Sequence, residues 1–114
     1  DGVLELYRIE EDTSKDYPEE RLRATNERIW YRELSVYDTT RAKLAAASVE
    51  VTMKLAIPQY KKINSKCVCM IDGKQHEIYN VAHVTTKDGF KESELTLKTP
   101  AYEREVIDDT ERTE

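Results

Sequence analysis

The sequence predicts an all-β fold, a small antiparallel β-barrel of about six strands with one short helix and a long loop after the first strand. Three observations carry this. From Val49 to Ile57 apolar and polar residues alternate almost without a break, the period of a strand with one face in a core and one face wet. Asp72-Gly73 stands between two β-rich runs, Cys67–Ile71 and Glu77–Val81, and a type I′ hairpin turn needs the positive φ that Asp-Gly supplies. Few residues separate the later strands, and short turns between alternating runs are the signature of an antiparallel barrel or sandwich.

Val3–Ile9 reads as the first strand, with Leu4, Leu6 and Ile9 seeking a core. Residues 10–25 are polar and charged. Pro18 biases Tyr17 away from helix, so this stretch is expected to be a long loop. Asn26–Tyr37 is the next strand. In it Trp30, Leu34 and Val36 share one parity with Arg32, while Ile29 and Tyr31 take the other. A charge in the Trp30 row predicts a bend or bulge there. Asp38 is placed to cap a helix over 38–48, whose Ala42, Ala45 and Ala46 make a small face suited to lying flat on a sheet. After the Asp-Gly hairpin, Lys87–Phe90 forms a second tight turn. Lys91–Lys98 is the closing strand, with Leu95 and Leu97 inward. Residues 1–99 thus form one barrel domain, and 100–114 an acidic tail expected to be flexible until a partner orders it.

The net charge of −5 is unevenly placed. Glu10–Arg21 and Pro100–Glu114 each carry −4, which leaves the remaining body at +3. Acidic appendages on a mildly basic body are ordinary for solubility, and they equally suit docking on a neighbour's basic surface. An acidic pI near 5.2 argues against tight phosphate binding, so Lys61, Lys62 and Lys66 beside Tyr60 read first as a solvated loop. No signal peptide and no apolar run of membrane-spanning length is recognised. Two cysteines spaced i, i+2 point to one face of a strand and do not suit a disulfide, which fits a protein made in cytoplasm.

The residues for chemistry are sparse. Across a two-residue turn Cys69 falls opposite His76 and Cys67 opposite Ile78, three soft ligands on one face where zinc wants four; His83 has the wrong parity to join them. No metal and no cofactor is expected. The two histidines sit near no nucleophile motif, and three glycines, Gly2, Gly73 and Gly89, cannot build a phosphate cradle. The chain is therefore expected not to be an enzyme, with function carried by shape, surface and partners. Trp30, Tyr31, Tyr37 and Tyr60 serve either a core or an interface.

Glu27-Arg28-Ile29-Trp30-Tyr31-Arg32-Glu33-Leu34-Ser35, then Arg41–Ser48, Val49–Ile57 and the hairpin Cys67–Val81 follow one another in an order that resembles the head-closure, or head–tail connector, proteins of long-tailed bacteriophages. The resemblance spans roughly residues 1–99. It implies a β-barrel with a helix, assembled as a ring beneath the portal and its adaptor, that retains packaged DNA and docks the tail. It also implies residence in the virion at the head–tail interface after synthesis in the bacterial host's cytoplasm. Portal and adaptor proteins, a tail-completion protein and further copies of the chain are the implied partners. DNA is enclosed without sequence-specific binding, no membrane is involved, and the isolated chain can be a monomer. By this resemblance the channel-closing loop is 10–25, and the candidate interface residues are Glu10, Glu11, Asp12, Asp16, Tyr17, Glu19, Glu20, Trp30 and Tyr31. A tail-completion or tail-terminator protein of the same particle, or a small nucleic-acid-binding barrel, are the alternatives.

Overall fold

Six strands close into a ring in the computed structural model, in the order β1-β2-β3-β6-β5-β4, with β1 pairing back onto β4. The structure describes residues 2–12, 19–36 and 38–107; at Asp12 and at 38–40 it describes the backbone alone. In chain order the elements are β1 (Gly2–Asp12), β2 (Glu19–Leu34), α1 (Asp38–Ala46), β3 (Val51–Pro58), β4 (Cys67–Ile71), β5 (Lys74–Thr85) and β6 (Lys91–Lys98). Every pairing is antiparallel. The all-β, barrel-like class and the single short helix are as the alternation and turn chemistry predict.

The inward rows make one apolar core. Leu4, Leu55, Cys69, Leu95 and Leu97 are fully buried, with Ile29, Tyr31, Met53, Tyr60 and Val81 packed around them. Side chains on this scale of burial each contribute about 1.5–3 kcal/mol from apolar area alone. The β4–β5 hairpin turns through Asp72 and Gly73, whose φ values of 52° and 77° are both positive, as a type I′ turn requires. Gly89, at φ 86°, makes the β5–β6 turn, where Thr86 and Phe90 close the loop through backbone and side-chain bonds.

Three expectations need correction. Residues 10–12 and 19–25 of the expected long loop are strand: β1 runs out to Asp12 and β2 returns from Glu19, so the two form a ribbon, and 13–18 lie outside the described residues. Opposite charges hold the ribbon sides, as in Arg23 to Glu10 at 2.7 Å. Ile9 and Leu22 stand among so many charges that no clean apolar period shows, so the sequence resembles a loop. The irregularity expected near Trp30 lies at Thr25-Asn26 instead, where the β1–β2 register shifts. Asn26 takes φ 62°, a region Asn tolerates, while Thr25 Oγ1 donates to the Leu6 carbonyl and accepts from the Glu27 N–H. The Trp30–Arg32 row is simply the outer row, and no bend is needed there. Finally, Ala42, Ala45 and Ala46 are exposed rather than laid on a sheet. Helix α1 is tied by Leu44, half-buried, and by Arg41, which donates to the Val51 carbonyl at 2.9 Å. The capping role expected of Asp38 and the side chain of Tyr37 lie outside what is described.

The segment after β6 is the largest addition to the predicted fold. Residues 100–107, expected as part of a flexible tail, cross the outside of the sheet and form a parallel bridge from Val106 to Leu22 of β2. The Leu22 N–H donates to Glu105 O and the Ile107 N–H to Leu22 O, both at 2.8 Å. Residues 108–114 lie outside the described residues.

Candidate interaction surfaces

An aromatic groove lies on the barrel's outer wall. Trp30 is 72% exposed and Phe90 69%, and with Pro58 they line a shallow depression of about 370 Å³. Strand parity sets Trp30 there: its neighbours Ile29 and Tyr31 pack on the core, which turns Trp30 and Arg32 outward. Phe90 is brought alongside by the β5–β6 turn. Arg32 donates to Glu92 at 2.9 Å across the groove floor, and Lys91 stands at its rim. An indole left this open to water forgoes much of its burial energy, and Trp is enriched among the residues that dominate protein interfaces. Tyr31 is the packed partner of this pair, and its hydroxyl pKa is raised by burial. A Cβ at Gly2 would fall 2.6 Å from the Tyr31 hydroxyl oxygen, so a side chain there would push the Tyr31 ring aside.

The acidic candidates divide. Glu10, Glu11, Glu19 and Glu20 all sit on the ribbon, with Glu11 opposite Glu20 and Asp12 opposite Glu19 in the ladder. Glu20 is already engaged: Tyr102 donates to it at 2.6 Å and Arg104 at 3.0 Å, and these two bonds hold its carboxyl below the usual range. Asp16 and Tyr17, and the side chain of Asp12, lie outside what is described.

Arg104 fastens the C-terminal strap. Its guanidinium, 8% exposed, donates to Glu77 at 2.6 Å as well as to Glu20. Its main chain exchanges two bonds with the Gln75 side-chain amide, at 2.6 and 3.0 Å. Glu77 also faces Lys98 at 3.7 Å. Burial alone would lower the Arg104 pKa, but the bonds to Glu77 and Glu20 win and raise it. Sequence reasoning missed this clamp because its members lie on β2, β5 and the tail. The available hint was Arg104, one of two arginines in the acidic tail.

A polar cleft of about 280 Å³ opens where the ribbon leaves the barrel. Arg8, Arg23 and Lys62 line it, with Tyr60 and Glu27 hydrogen-bonded to each other beside Cys67 at its floor. The Ile9 N–H donates to Lys66 O at 2.8 Å, which fixes the lysine loop against β1. The basic loop at 60–66 is thus joined by two arginines that are distant in sequence.

Cys69 and His76 are paired in the ladder, as the turn length predicts. Burial pushes the Cys69 thiol up to about 12, so it stays protonated and unreactive. His76 Nδ1 is bonded to Thr52 Oγ1 at 2.8 Å, and burial, with Lys74 nearby, lowers its pKa. Among the described residues no group of three His, Cys, Asp or Glu side chains could hold a metal ion. One pairing went unforeseen: Ser93 Oγ lies 2.8 Å from His83 Nδ1. The same oxygen accepts the Tyr60 N–H at 3.1 Å. Ser93 is fully buried, so this pair braces β5, β6 and the Tyr60 loop.

No family model matches the chain, and no curated protein matches it. Among the described residues no helix is long and apolar enough to cross a membrane.

Proposed function

We propose that this chain is a structural part of the head–tail connector of a long-tailed bacteriophage, of the head-closure type. In this reading it takes its place in a ring beneath the portal and adaptor, meets a tail-completion protein on the other side, and surrounds DNA without reading its sequence. It performs no catalysis and resides in the virion. The observation that supports this reading is the Trp30–Pro58–Phe90 groove on a barrel that also projects a charged ribbon. Two unlike surfaces on one subunit are what a heterologous, ring-forming contact requires. An acidic ribbon also suits a DNA conduit, because it repels phosphates and does not trap the passing duplex.

Trp30 is the only tryptophan in the chain, so it reports on its own groove. Free in solution its emission is expected near that of water-exposed indole. On mixing with a purified portal–adaptor complex the emission should shift to the blue and become protected from iodide quenching. Absence of binding to that complex overturns the reading. The Arg8–Lys62 cleft favours one rival, a nucleic-acid-binding barrel. Saturable binding of single-stranded DNA at physiological salt would replace the proposal with that rival.

A further inference from the structure

The β1–β2 ribbon is charged like against like at both ends. At its root Arg8 stands directly opposite Arg23 in the ladder. Further out, Glu11 stands opposite Glu20 and Asp12 opposite Glu19. Like charges directly across an antiparallel pair are destabilising, and here the arrangement is doubled with opposite sign. Part of it is relieved within the subunit, where Arg23 reaches Glu10 and Glu20 reaches Arg104. Arg8 and Lys62 are exposed and have no carboxylate partner among the described residues. Glu11 is likewise exposed. Four steps along extended chain lead from Arg8 to Asp12, about 13 Å, so one ribbon carries a basic root and an acidic outer end at separate places.

We infer that the acidic outer end of this ribbon docks in the Arg8–Arg23–Lys62 cleft at the root of the ribbon of a second copy of the chain. The contact is heterologous, since one copy's outer end meets another's root, so repetition closes a ring or extends a filament. It sets acidic residues of one copy against Arg8 and Lys62 of the next, and the 280 Å³ cleft is of a size to admit carboxylate side chains. This inference rests on the connector reading and supplies the pairing of surfaces within its ring.

The test uses the full chain, mixed from equal parts of natural-isotope and ¹⁵N-labelled protein, treated with a carbodiimide and mapped by mass spectrometry. Mixed-isotope links are expected between the peptide holding Glu11 or Glu19 and the peptide holding Lys61, Lys62 or Lys66, in free solution at low salt or on the portal–adaptor complex. Arg8→Glu with Lys62→Glu should lower their yield about tenfold, as should Glu11→Lys with Glu19→Lys. Mixing these two variants should restore links by joining the untouched root of one to the untouched outer end of the other. Circular dichroism keeps the comparison to folded protein; a single Lys62→Glu replacement in the loop serves if the double root variant does not fold. If the chain joins the complex but mixed links never form, or form equally in the reversed variants, the docking is overturned while the connector reading stands. If links form in solution and respond to charge reversal while the complex is ignored, the docking stands and the connector reading falls.

Discussion

The barrel and the ribbon-and-strap layer are both joined by backbone hydrogen bonds, antiparallel in the sheet and parallel at the strap, and are held by different forces. Inside, Leu4, Leu55, Leu95 and Leu97 pack in one apolar cluster, and the free thiols Cys67 and Cys69 behave there as small hydrophobes. Outside, Leu22 is just as completely buried, but what lies over it is fastened by Arg104, Glu20, Glu77 and Gln75. Apolar packing is indifferent to salt and to mild acid. Charge-assisted bonds are sensitive to both. The barrel should therefore open only in global unfolding, while the strap can open on its own with the barrel intact.

The largest effect should come from the interior. Leu95 sits between Leu55 of β3 and Val81 of β5, fully buried. Leu95→Ala is expected to cost about 2–5 kcal/mol, against a total of about 5–15 for a domain of this kind. Urea unfolding should show a lower midpoint with an unchanged slope. A shallower slope, or a second transition, would mean that the interior is not one cooperative unit.

Next in size is the clamp. Arg104→Met keeps the stem and removes the bonds to Glu77 and Glu20, leaving Glu77, only 12% exposed, with Lys98 alone at 3.7 Å. A loss of about 1–3 kcal/mol is expected. Its location matters more than its size. The Leu22 and Ile107 amides should exchange hydrogen faster, while those of Leu55 and Leu97 should not change. Equal acceleration everywhere would abolish the distinction between the two layers.

How much of this was legible in the sequence follows the same division. The interior was legible because apolar periodicity records it: Leu95 and Leu97 alternate with polar residues, and Asp72-Gly73 names its own turn. The ribbon was not, because Ile9 and Leu22 are outnumbered by charges and its cross-strand charges mean something only once the register is known. Trp30 was ambiguous in parity, and the outward fate of its row is set by Ile29 and Tyr31 reaching the core first. The strap was invisible for a plainer reason. Val106 and Arg104 find Leu22, Gln75 and Glu77 only after the sheet has closed, and no local pattern encodes so distant a meeting.

Acid should separate the layers further. His76 has a lowered pKa in the folded chain, so the unfolded chain takes up a proton first as pH falls below the ordinary 6.5. Its stabilising contribution is complete above that value and declines as pH drops from there toward the folded pKa. Glu20, also lowered, contributes fully above the ordinary 4.5 and loses that contribution as pH falls through its folded value. Two windows result, one for the barrel wall and a more acidic one for the strap. His76→Gln should flatten the upper window only, and Glu20→Gln the lower, as followed by thermal midpoints between pH 7 and pH 3.

The smallest effect makes the sharpest control. Arg32 with Glu92 repeats the chemistry of Arg104 with Glu77, but on the open wall of the aromatic groove, with the Arg32 side chain 55% exposed. Water already solvates the Arg32 charge, and ordering two long side chains offsets what attraction remains. Arg32→Gln is expected to shift stability by no more than about 1 kcal/mol, and the shift should vanish in high salt. The covered Arg104 pair should keep most of its effect under the same salt. If the two arginines prove equal, burial beneath the strap adds nothing to ion pairing, and the strap must be held by its backbone bridge to Leu22 alone.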